Sequence, residues 1–299
     1  MNKPLVSICI PTYNGQKFIT DAMDSAINQT YRPLEIVISD DASKDATLEI
    51  IKSFQNKTDI PIHIFAHKPS GIGANWNHSI KKSKGEYIKF LFQDDVLAPT
   101  CIEKMMEIAV TNKDVGMVYS KRDFLFDSAD AKSIEWIQLY SNLHLSWKNN
   151  LIINRGVTKG TDLLKDENLL NFPENKIGEP TAVLLKKEVF EKVGYFSEVL
   201  KQTLDIEFWY RLIKKYDVVY IDEKLLSFRL HNNQATFINT KNELNESKFF
   251  YYSMYKKLFW YLCFKTQKKL FYEFNIFGKF IKRIFNIIFR LKRRINKIK

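Results

Sequence analysis

An apolar segment that ends in two adjacent acidic residues is the feature that most constrains the fold. Residues 87–92, Tyr-Ile-Lys-Phe-Leu-Phe, have strand character, and Asp94 and Asp95 follow them. Such a strand belongs inside a sheet, so both carboxyl groups should emerge at its carboxyl end, where open α/β sheets bind ligands. Neighbouring carboxylates repel each other unless a cation or hydrogen-bond donors lie between them. A hard divalent metal is the natural cation, and a solvated turn is the alternative.

The first half of the chain alternates between strand and helix patterns. Strands are predicted at 6–10, 35–39, 62–65 and 87–92, with apolar residues at helical spacing between them. Crossovers of about twenty residues suit parallel strands joined by right-handed connections. We therefore predict an α/β fold with a doubly wound, mostly parallel sheet of the nucleotide-binding type.

Polar residues follow three of these strands. Thr12 and Asn14 come after the first strand, Asp40 and Asp41 after the second, and the pair 94–95 after the fourth. Parallel strands end at one edge of a sheet, so these side chains should form one site. A nucleoside diphosphate is the simplest occupant, with a metal on its phosphates. Neither Gly-x-Gly-x-x-Gly nor a P-loop motif occurs, which argues against dinucleotide-binding and P-loop enzymes.

Three segments resemble, in order and spacing, the family 2 glycosyltransferases, inverting enzymes with the GT-A fold. They are Val-Ser-Ile-Cys-Ile-Pro-Thr-Tyr-Asn-Gly at 6–15, Ser-Asp-Asp-Ala-Ser-Lys-Asp at 39–45 and Lys-Gly-Glu-Tyr-Ile-Lys-Phe-Leu-Phe-Gln-Asp-Asp at 84–95. The likeness extends to residue 235. It implies a nucleotide-sugar donor, a divalent metal at an Asp-x-Asp-like motif, and a base that deprotonates the acceptor hydroxyl.

The resemblance also implies roles for individual residues. The donor nucleotide would be bound by Pro11, Thr12, Tyr13, Asn14, Asp40, Asp41 and Asn77. Asp94 and Asp95 would serve the metal, Mn²⁺ or Mg²⁺, and the diphosphate. The chain departs from the family at Phe92, where the motif often has its first acid, and at Trp76, near which the family often has an Arg.

Asp205 is the candidate catalytic base. It lies at the start of a predicted helix at 204–212, where the helix dipole favours the ionised carboxylate. By the resemblance it matches the family's catalytic acid in a Glu/Asp-Asp-x-x-x-Trp segment, although Leu204 replaces the preceding acid. An ordinary N-cap is the alternative.

His231 is the third candidate metal ligand. It lies in the segment 226–233, where related GT-A enzymes can place a histidine near the metal or the donor phosphate. Imidazole suits Mn²⁺ better than Mg²⁺. A structural histidine is the alternative.

The remaining pattern is less regular. It predicts a helix at 99–110, strands at 115–119 and 178–185, and a helix that ends at Gly194 in a Schellman-like cap. The stretch 120–175 is weakly periodic, and the resemblance implies that this middle region shapes the acceptor site.

The net positive charge of the chain comes from its last 44 residues. The net charge is +12, yet 256–299 holds 14 Lys and Arg and one acid, whereas the other 255 residues hold 32 bases and 33 acids. The tail should be largely helical, with the apolar face Phe274, Phe277, Phe280, Ile281, Ile284, Phe285, Ile288 and Leu291 and the polar face Lys279, Lys282, Arg283, Asn286, Arg290 and Arg293. No uncharged run reaches the ~20 residues that span a bilayer. Such a helix is typical of an anionic membrane interface; packing on the body and RNA binding are the alternatives.

These observations predict a glycosyltransferase domain at 1–235, with a donor nucleotide half at 1–118 and an acceptor half at 119–235, and a helical tail at 236–299. Three scattered cysteines and no signal peptide favour the cytoplasm.

The predicted function is metal-dependent, inverting transfer from a UDP- or dTDP-sugar to a saccharide or lipid-linked acceptor, in bacterial surface polysaccharide synthesis at the inner face of the membrane. No nucleic acid partner is expected. The alternatives are a non-catalytic nucleotide-sugar-binding or membrane scaffold protein and a nucleotidyltransferase.

Overall fold

Nine strands form one sheet in the part of the chain that the structure describes. This computed structural model describes residues 3–148, 151–232, 234, 239 and 245–295, with side chains to residue 288. The strands are β1 Val6–Thr12, β2 Leu34–Asp40, β3 Ile62–Ala66, β4 Tyr87–Phe90, β5 Val96–Leu97, β6 Val115–Leu125, β7 Val157–Thr158, β8 Val183–Lys186 and β9 Asp217–Arg229. The helices are α1 Ile19–Ile27, α2 Thr47–Ser53, α3 Ile72–Lys82, α4 Cys101–Ala109, α5 Ala131–Tyr140, α6 Gly160–Leu164, α7 Glu188–Val193, α8 Leu204–Leu212, α9 Ser247–Leu258, α10 Phe264–Phe274 and α11 Ile276–Ile295.

The strand order is β3-β2-β1-β4-β8-β6-β9-β5, with β7 paired to β9. Strands β1 to β4 are parallel, and β8 is antiparallel to both β4 and β6, so β6 and β9 run in the same direction as the first four. Helices cover both faces over two clusters of buried apolar residues. The predicted α/β fold with a doubly wound, mostly parallel sheet is confirmed.

Several predicted boundaries are wrong. Strand β4 ends at Phe90 rather than 92, and β6 continues to Leu125. The strand predicted at 178–185 begins only at Val183, because a 3-10 turn at Pro180–Ala182 precedes it and Pro180 has no N–H to donate to a ladder.

The predicted Schellman-like cap of α7 is also wrong. Gly194 ends α7, but with φ 88° and ψ 178° its backbone lies outside the left-handed helical region that this cap requires. The Gly194 N–H bonds the Phe190 carbonyl oxygen at 3.0 Å.

The first two helices of the tail pack against the body. Phe250, Met254 and Leu258 of α9, together with Leu262 and Leu270, are buried in the same cluster as the apolar residues of α8. Residues 235–238 and 240–244 lie outside the described part of the chain. The division at residue 235 stays a prediction, and exposed apolar surface remains in the tail at Trp260, at Phe264 and along α11.

Helix α11 contacts α10 at its start and is exposed beyond that point. A Cβ at Gly278 would lie 2.2 Å from the Phe271 carbonyl oxygen, so only glycine permits this close approach. Phe277 and Phe280 are 72% and 63% exposed. The side chains of Arg290, Leu291 and Arg293 are outside the described part. No helix among the described residues is long and apolar enough to cross a membrane.

Candidate active site

The ends of β1 and β2 are joined by a buried carboxylate. Asp40, which pairs with Thr12 in the sheet register, accepts hydrogen bonds from Thr12 Oγ1 at 2.7 Å and from the N–H and hydroxyl of Ser43 at 2.8 and 2.6 Å. It is fully buried. The Asp40 carboxylate therefore fixes the turn after β2.

The turn after β1 is tied to the loop after β4. Gln93 accepts a hydrogen bond from the Tyr13 N–H at 2.9 Å, and its side-chain N–H donates to the Tyr13 carbonyl oxygen at 3.0 Å. Asn14 has a positive φ of 48°, and its N–H donates to Ser43 Oγ at 2.9 Å. Pro11 is interior, whereas the Tyr13 side chain is exposed. The sheet edge is therefore open at Tyr13 and Asn14.

Asp41 faces the start of α3. Its carboxylate accepts hydrogen bonds from the N–H groups of Ser70 and Gly71 at 2.7 and 3.1 Å, and His67 Nδ1 lies 3.5 Å away. These contacts hold the loop between β3 and α3 against the end of β2.

Asn77 lies apart from this group. It is buried, and its amide donates to the Phe196 carbonyl oxygen at 2.9 Å and accepts from the Phe196 N–H at 3.0 Å. Its polar atoms are thus occupied by the loop after α7, so the geometry supports a donor role for Asn77 less than for the other residues.

Asp94, Asp95 and His231 are brought together where β4 and β9 end. His231 Nε2 lies 2.9 Å from Asp94 Oδ2, and Asp95 Oδ1 accepts the Arg229 N–H at 3.0 Å. The Arg229 guanidinium bonds the Asp94 carbonyl oxygen at 2.8 Å and pairs with Asp21 at 2.7 Å. The loop that carries both acids is therefore held by the last residues of β9.

Asp95 is fully buried, and its Oδ2 has no hydrogen-bond partner among the described residues. Burial, and next the charge of Asp94, raise its pKa well above the usual range. A buried carboxylate oxygen without a hydrogen bond is suited to bind a cation, and carboxylate and imidazole groups both bind Mn²⁺. Within the described residues no three His, Cys, Asp or Glu side chains are close enough to form a complete metal site.

Asp205 is the second residue of α8, whose N-cap is Thr203. The N-cap interpretation of Asp205 is therefore wrong. Its Oδ2 accepts a hydrogen bond from Asn175 Nδ2 at 3.1 Å, and its Oδ1 accepts the Ile206 N–H at 2.8 Å. Burial raises the pKa of Asp205 to about 7, so burial opposes the ionisation that the helix dipole favours.

The segment 175–183 contains polar residues near the site that the sequence analysis missed. Asn175 contacts Asp205, Thr181 Oγ1 accepts the Phe92 N–H at 3.2 Å, and Glu179 pairs with the buried Arg122. A further buried cation, Lys89 of β4, donates to the carbonyl oxygens of Thr181 and Val183. Lys89 could have been recognised from the sequence, since it interrupts an apolar strand. The polar residues of the segment could not, because most of the segment had the pattern of a strand.

Comparison with known proteins identifies what this chain is similar to. The family model described as Glycosyl transferase family 2 matches residues 7–194. An uncharacterized glycosyltransferase of Rickettsia typhi is 34% identical over 85% of this chain and 73% of that protein. One from Methanocaldococcus jannaschii is 27% identical over 81% of this chain and 77% of that protein.

Solved structures share the fold. S. aureus TarS 1-349 in complex with UDP-GlcNAc has a TM-score of 0.59 at 16% identity and covers 90% of this chain and 71% of its own. Mannosyltransferase PcManGT from Pyrobaculum calidifontis, in complex with GDP-Man and Mn²⁺, has a TM-score of 0.56 at 14% identity and covers 87% of this chain and 64% of its own. At such identities the likeness is one of fold.

Proposed function

This chain belongs to glycosyltransferase family 2, and we propose that it is a metal-dependent inverting enzyme that moves a sugar from a nucleotide sugar to a hydroxyl of a saccharide or lipid-linked acceptor. The observation that carries the proposal is the shared sheet edge, where the turn after β1, the acids after β2 and the 94–95 pair come together. We further propose a role in bacterial surface polysaccharide synthesis.

The donor nucleotide is proposed to bind at the ends of β1 and β2. Tyr13 and Asn14 are open to a ligand there, while Thr12 and Asp40 set the shape of the edge. Solved neighbours hold UDP, UDP-GlcNAc or GDP-Man, which supports a nucleotide sugar as donor. Our specific proposal is a UDP- or dTDP-sugar.

Asp94, Asp95 and His231 are proposed to hold Mn²⁺, or Mg²⁺. The bound metal would neutralise charge on the departing nucleoside diphosphate. The contact between His231 and Asp94 and the unpartnered oxygen of Asp95 support this assignment. With one or two carboxylates from the protein, phosphate oxygens of the donor would complete the coordination.

Asp205 is proposed to take the proton from the acceptor hydroxyl while that oxygen attacks the anomeric carbon and the bond to the diphosphate breaks. Asn175 holds one carboxylate oxygen and so fixes the orientation of the group. A pKa of about 7 suits a general base that works near neutral pH.

The acceptor is proposed to enter beside the carboxyl end of β6. A cavity of about 340 Å³ lies there, lined by Lys121, Arg122, Asp123, Phe124, Phe126, Ile137, Ser141, Asn142 and Lys224. Aromatic and charged side chains in one cavity suit a saccharide, which presents both apolar faces and hydroxyl groups.

Helix α11 is proposed to lie on the anionic inner face of the cell membrane. Its apolar side chains are exposed along the described part, and the net positive charge of the chain comes entirely from the tail. Each Lys or Arg near an anionic surface contributes about 1 kcal/mol to binding.

The test of the proposed base is Asp205→Asn, with Asp162→Asn on the exposed surface of α6 as the matched control. We expect nucleotide-sugar binding to persist, and transfer, followed as nucleoside diphosphate release with saccharide and lipid-linked acceptors, to fall about 10²–10⁴-fold. Unchanged transfer would refute the role of Asp205. Tight donor binding without transfer by the wild-type protein would favour the scaffold, and pyrophosphate release a nucleotidyltransferase.

A further inference from the structure

Residues 178–181 connect the two ends of the proposed site. The Gly178 carbonyl oxygen accepts hydrogen bonds from Trp209 of the base-bearing helix at 3.1 Å and from Asn175 at 3.2 Å, and Asn175 also binds Asp205. Three residues later, Thr181 holds the backbone of the loop that carries the 94–95 pair. Glu179 therefore lies between the base and the proposed metal ligands.

The Glu179 side chain is fixed by a buried cation. Arg122 Nε lies 2.9 Å from Glu179 Oε2, and the Arg122 side chain is 3% exposed. Arg122 Nη2 donates to the Tyr140 carbonyl oxygen at 2.8 Å, which anchors the guanidinium from the other side. Such a pair holds the carboxylate in one position.

One carboxylate oxygen of Glu179 is free. The side chain is 17% exposed; Oε2 is buried beside Arg122, and Oε1 accepts no hydrogen bond from any residue that the structure describes. After burial, the charge of Glu179 also raises the pKa of Asp205, which is consistent with a position near the base. A carboxylate that is held in place and keeps one free acceptor oxygen is suited to bind a hydroxyl group.

We propose that Glu179 accepts hydrogen bonds from ring hydroxyls of the donor sugar and thereby selects and positions that sugar. This proposal rests on the proposed function. The sugar must lie between the metal-bound diphosphate and the acceptor oxygen, because its anomeric carbon breaks its bond to the diphosphate and forms one to that oxygen. Glu179 lies between the proposed metal ligands and the proposed base, and its free oxygen has lone pairs that can accept hydrogen bonds from hydroxyl groups.

The experiment compares nucleotide and nucleotide-sugar binding by calorimetry in Mn²⁺. The probes are UDP, dTDP and GDP, together with UDP-glucose, UDP-N-acetylglucosamine, dTDP-glucose and GDP-mannose. The variant is Glu179→Gln, and the matched control is Glu188→Gln. Glu188 pairs with Lys186 beside the first residue of β4, at the end of that strand away from the proposed site. Wild-type and control protein should bind one nucleotide sugar more tightly than its nucleoside diphosphate.

For Glu179→Gln we expect unchanged nucleoside diphosphate affinity and about tenfold to a hundredfold weaker binding of that nucleotide sugar, since a bond to a charged acceptor is lost. Equal sugar affinity in variant and wild type would overturn the proposal, as would wild-type protein that gains no affinity from any sugar. Absence of all nucleotide binding would instead refute the proposed function on which it rests.

A second measurement leaves the protein unchanged, in case Glu179→Gln does not fold. Singly deoxygenated analogues of the preferred nucleotide sugar should bind the wild type about tenfold more weakly at one or two ring positions. Uniform affinity across all the analogues would contradict a carboxylate that reads hydroxyl groups.

Discussion

At the scale of single residues, burial and the helix dipole act on Asp205 in opposite directions. The residue lies in the first turn of α8, where the dipole favours a charge, yet its pKa is raised to about 7. Loss of water around a carboxylate costs more than the dipole returns. The position of Asp205 could be predicted from the spacing of Phe208 and Leu212, whereas its burial depends on residues distant in sequence.

The raised pKa predicts opposite effects of pH on activity and stability. Transfer should rise with pH and level off above about 7, because only the ionised carboxylate accepts a proton. The folded state holds the Asp205 proton more tightly than the unfolded chain, so this contribution to stability is present below pH ~4 and is lost as pH rises through the folded pKa.

Urea unfolding at several pH values, for wild type and Asp205→Asn, measures this contribution. The wild type should lose more stability than the variant between pH 4 and 8. Identical pH dependence of the two proteins would show that Asp205 is not buried as described.

The two departures from the family pattern contact each other. Phe92 and Trp76 pack with ring centroids 4.9 Å apart, and Trp76 also meets Phe196 edge to face at 5.2 Å. An acid and a cation of the usual family pattern are thus both replaced here by aromatic residues in one apolar cluster. The sequence showed each departure separately, and only the fold shows that they form a pair.

At the scale of elements, α8 is held by α9. Glu207 of α8 is buried and accepts hydrogen bonds from Ser253 at 2.7 Å and Lys257 at 2.9 Å. The helical spacing of Phe250, Met254 and Leu258 was visible in the sequence, but an apolar helix face looks the same whether protein or lipid covers it. The sequence therefore left docking on the body and binding to a membrane as alternatives for the tail, because periodicity shows that a helix has an apolar face and does not show what covers it.

Glu246 provides a test of this coupling. Its carboxylate accepts hydrogen bonds from the backbone N–H groups of Lys201, Gln202 and Thr203 at 2.6, 3.0 and 3.1 Å, so it holds the loop from which α8 begins. Glu246→Ala should lower the free energy of unfolding by about 1–3 kcal/mol and reduce transfer more than donor binding.

The matched control is Glu191→Ala, an exposed position on α7 that should change neither property. Urea unfolding and steady-state transfer measure the two effects. A Glu246→Ala protein with wild-type stability and turnover would show that α9 does not position the base.

At the scale of the whole molecule, the exposed basic helix α11 is proposed to bind the membrane while the rest of the chain carries out transfer. Deletion of residues 276–299 removes α11 and keeps Leu270, which is buried in the core. The truncated protein should no longer sediment with anionic liposomes at moderate salt, while transfer to a water-soluble acceptor persists. Truncation should not change unfolding, since α11 is exposed beyond Gly278.

A charge-matched control separates insertion of apolar side chains into the membrane from nonspecific electrostatic adsorption. Substitution of Phe277, Phe280 and Phe285 by Ser keeps every charge and removes exposed apolar surface. If the truncated protein sediments as the full chain does, the membrane proposal is refuted.

The central claim is a metal-dependent nucleotide site at the shared edge of the sheet, and calorimetric titration with nucleoside diphosphates and nucleotide sugars, with and without Mn²⁺, tests it most directly. We predict that one nucleotide binds tightly only with the metal and that Asp94→Ala abolishes the metal effect. Folded protein that binds no nucleotide under either condition would contradict the account.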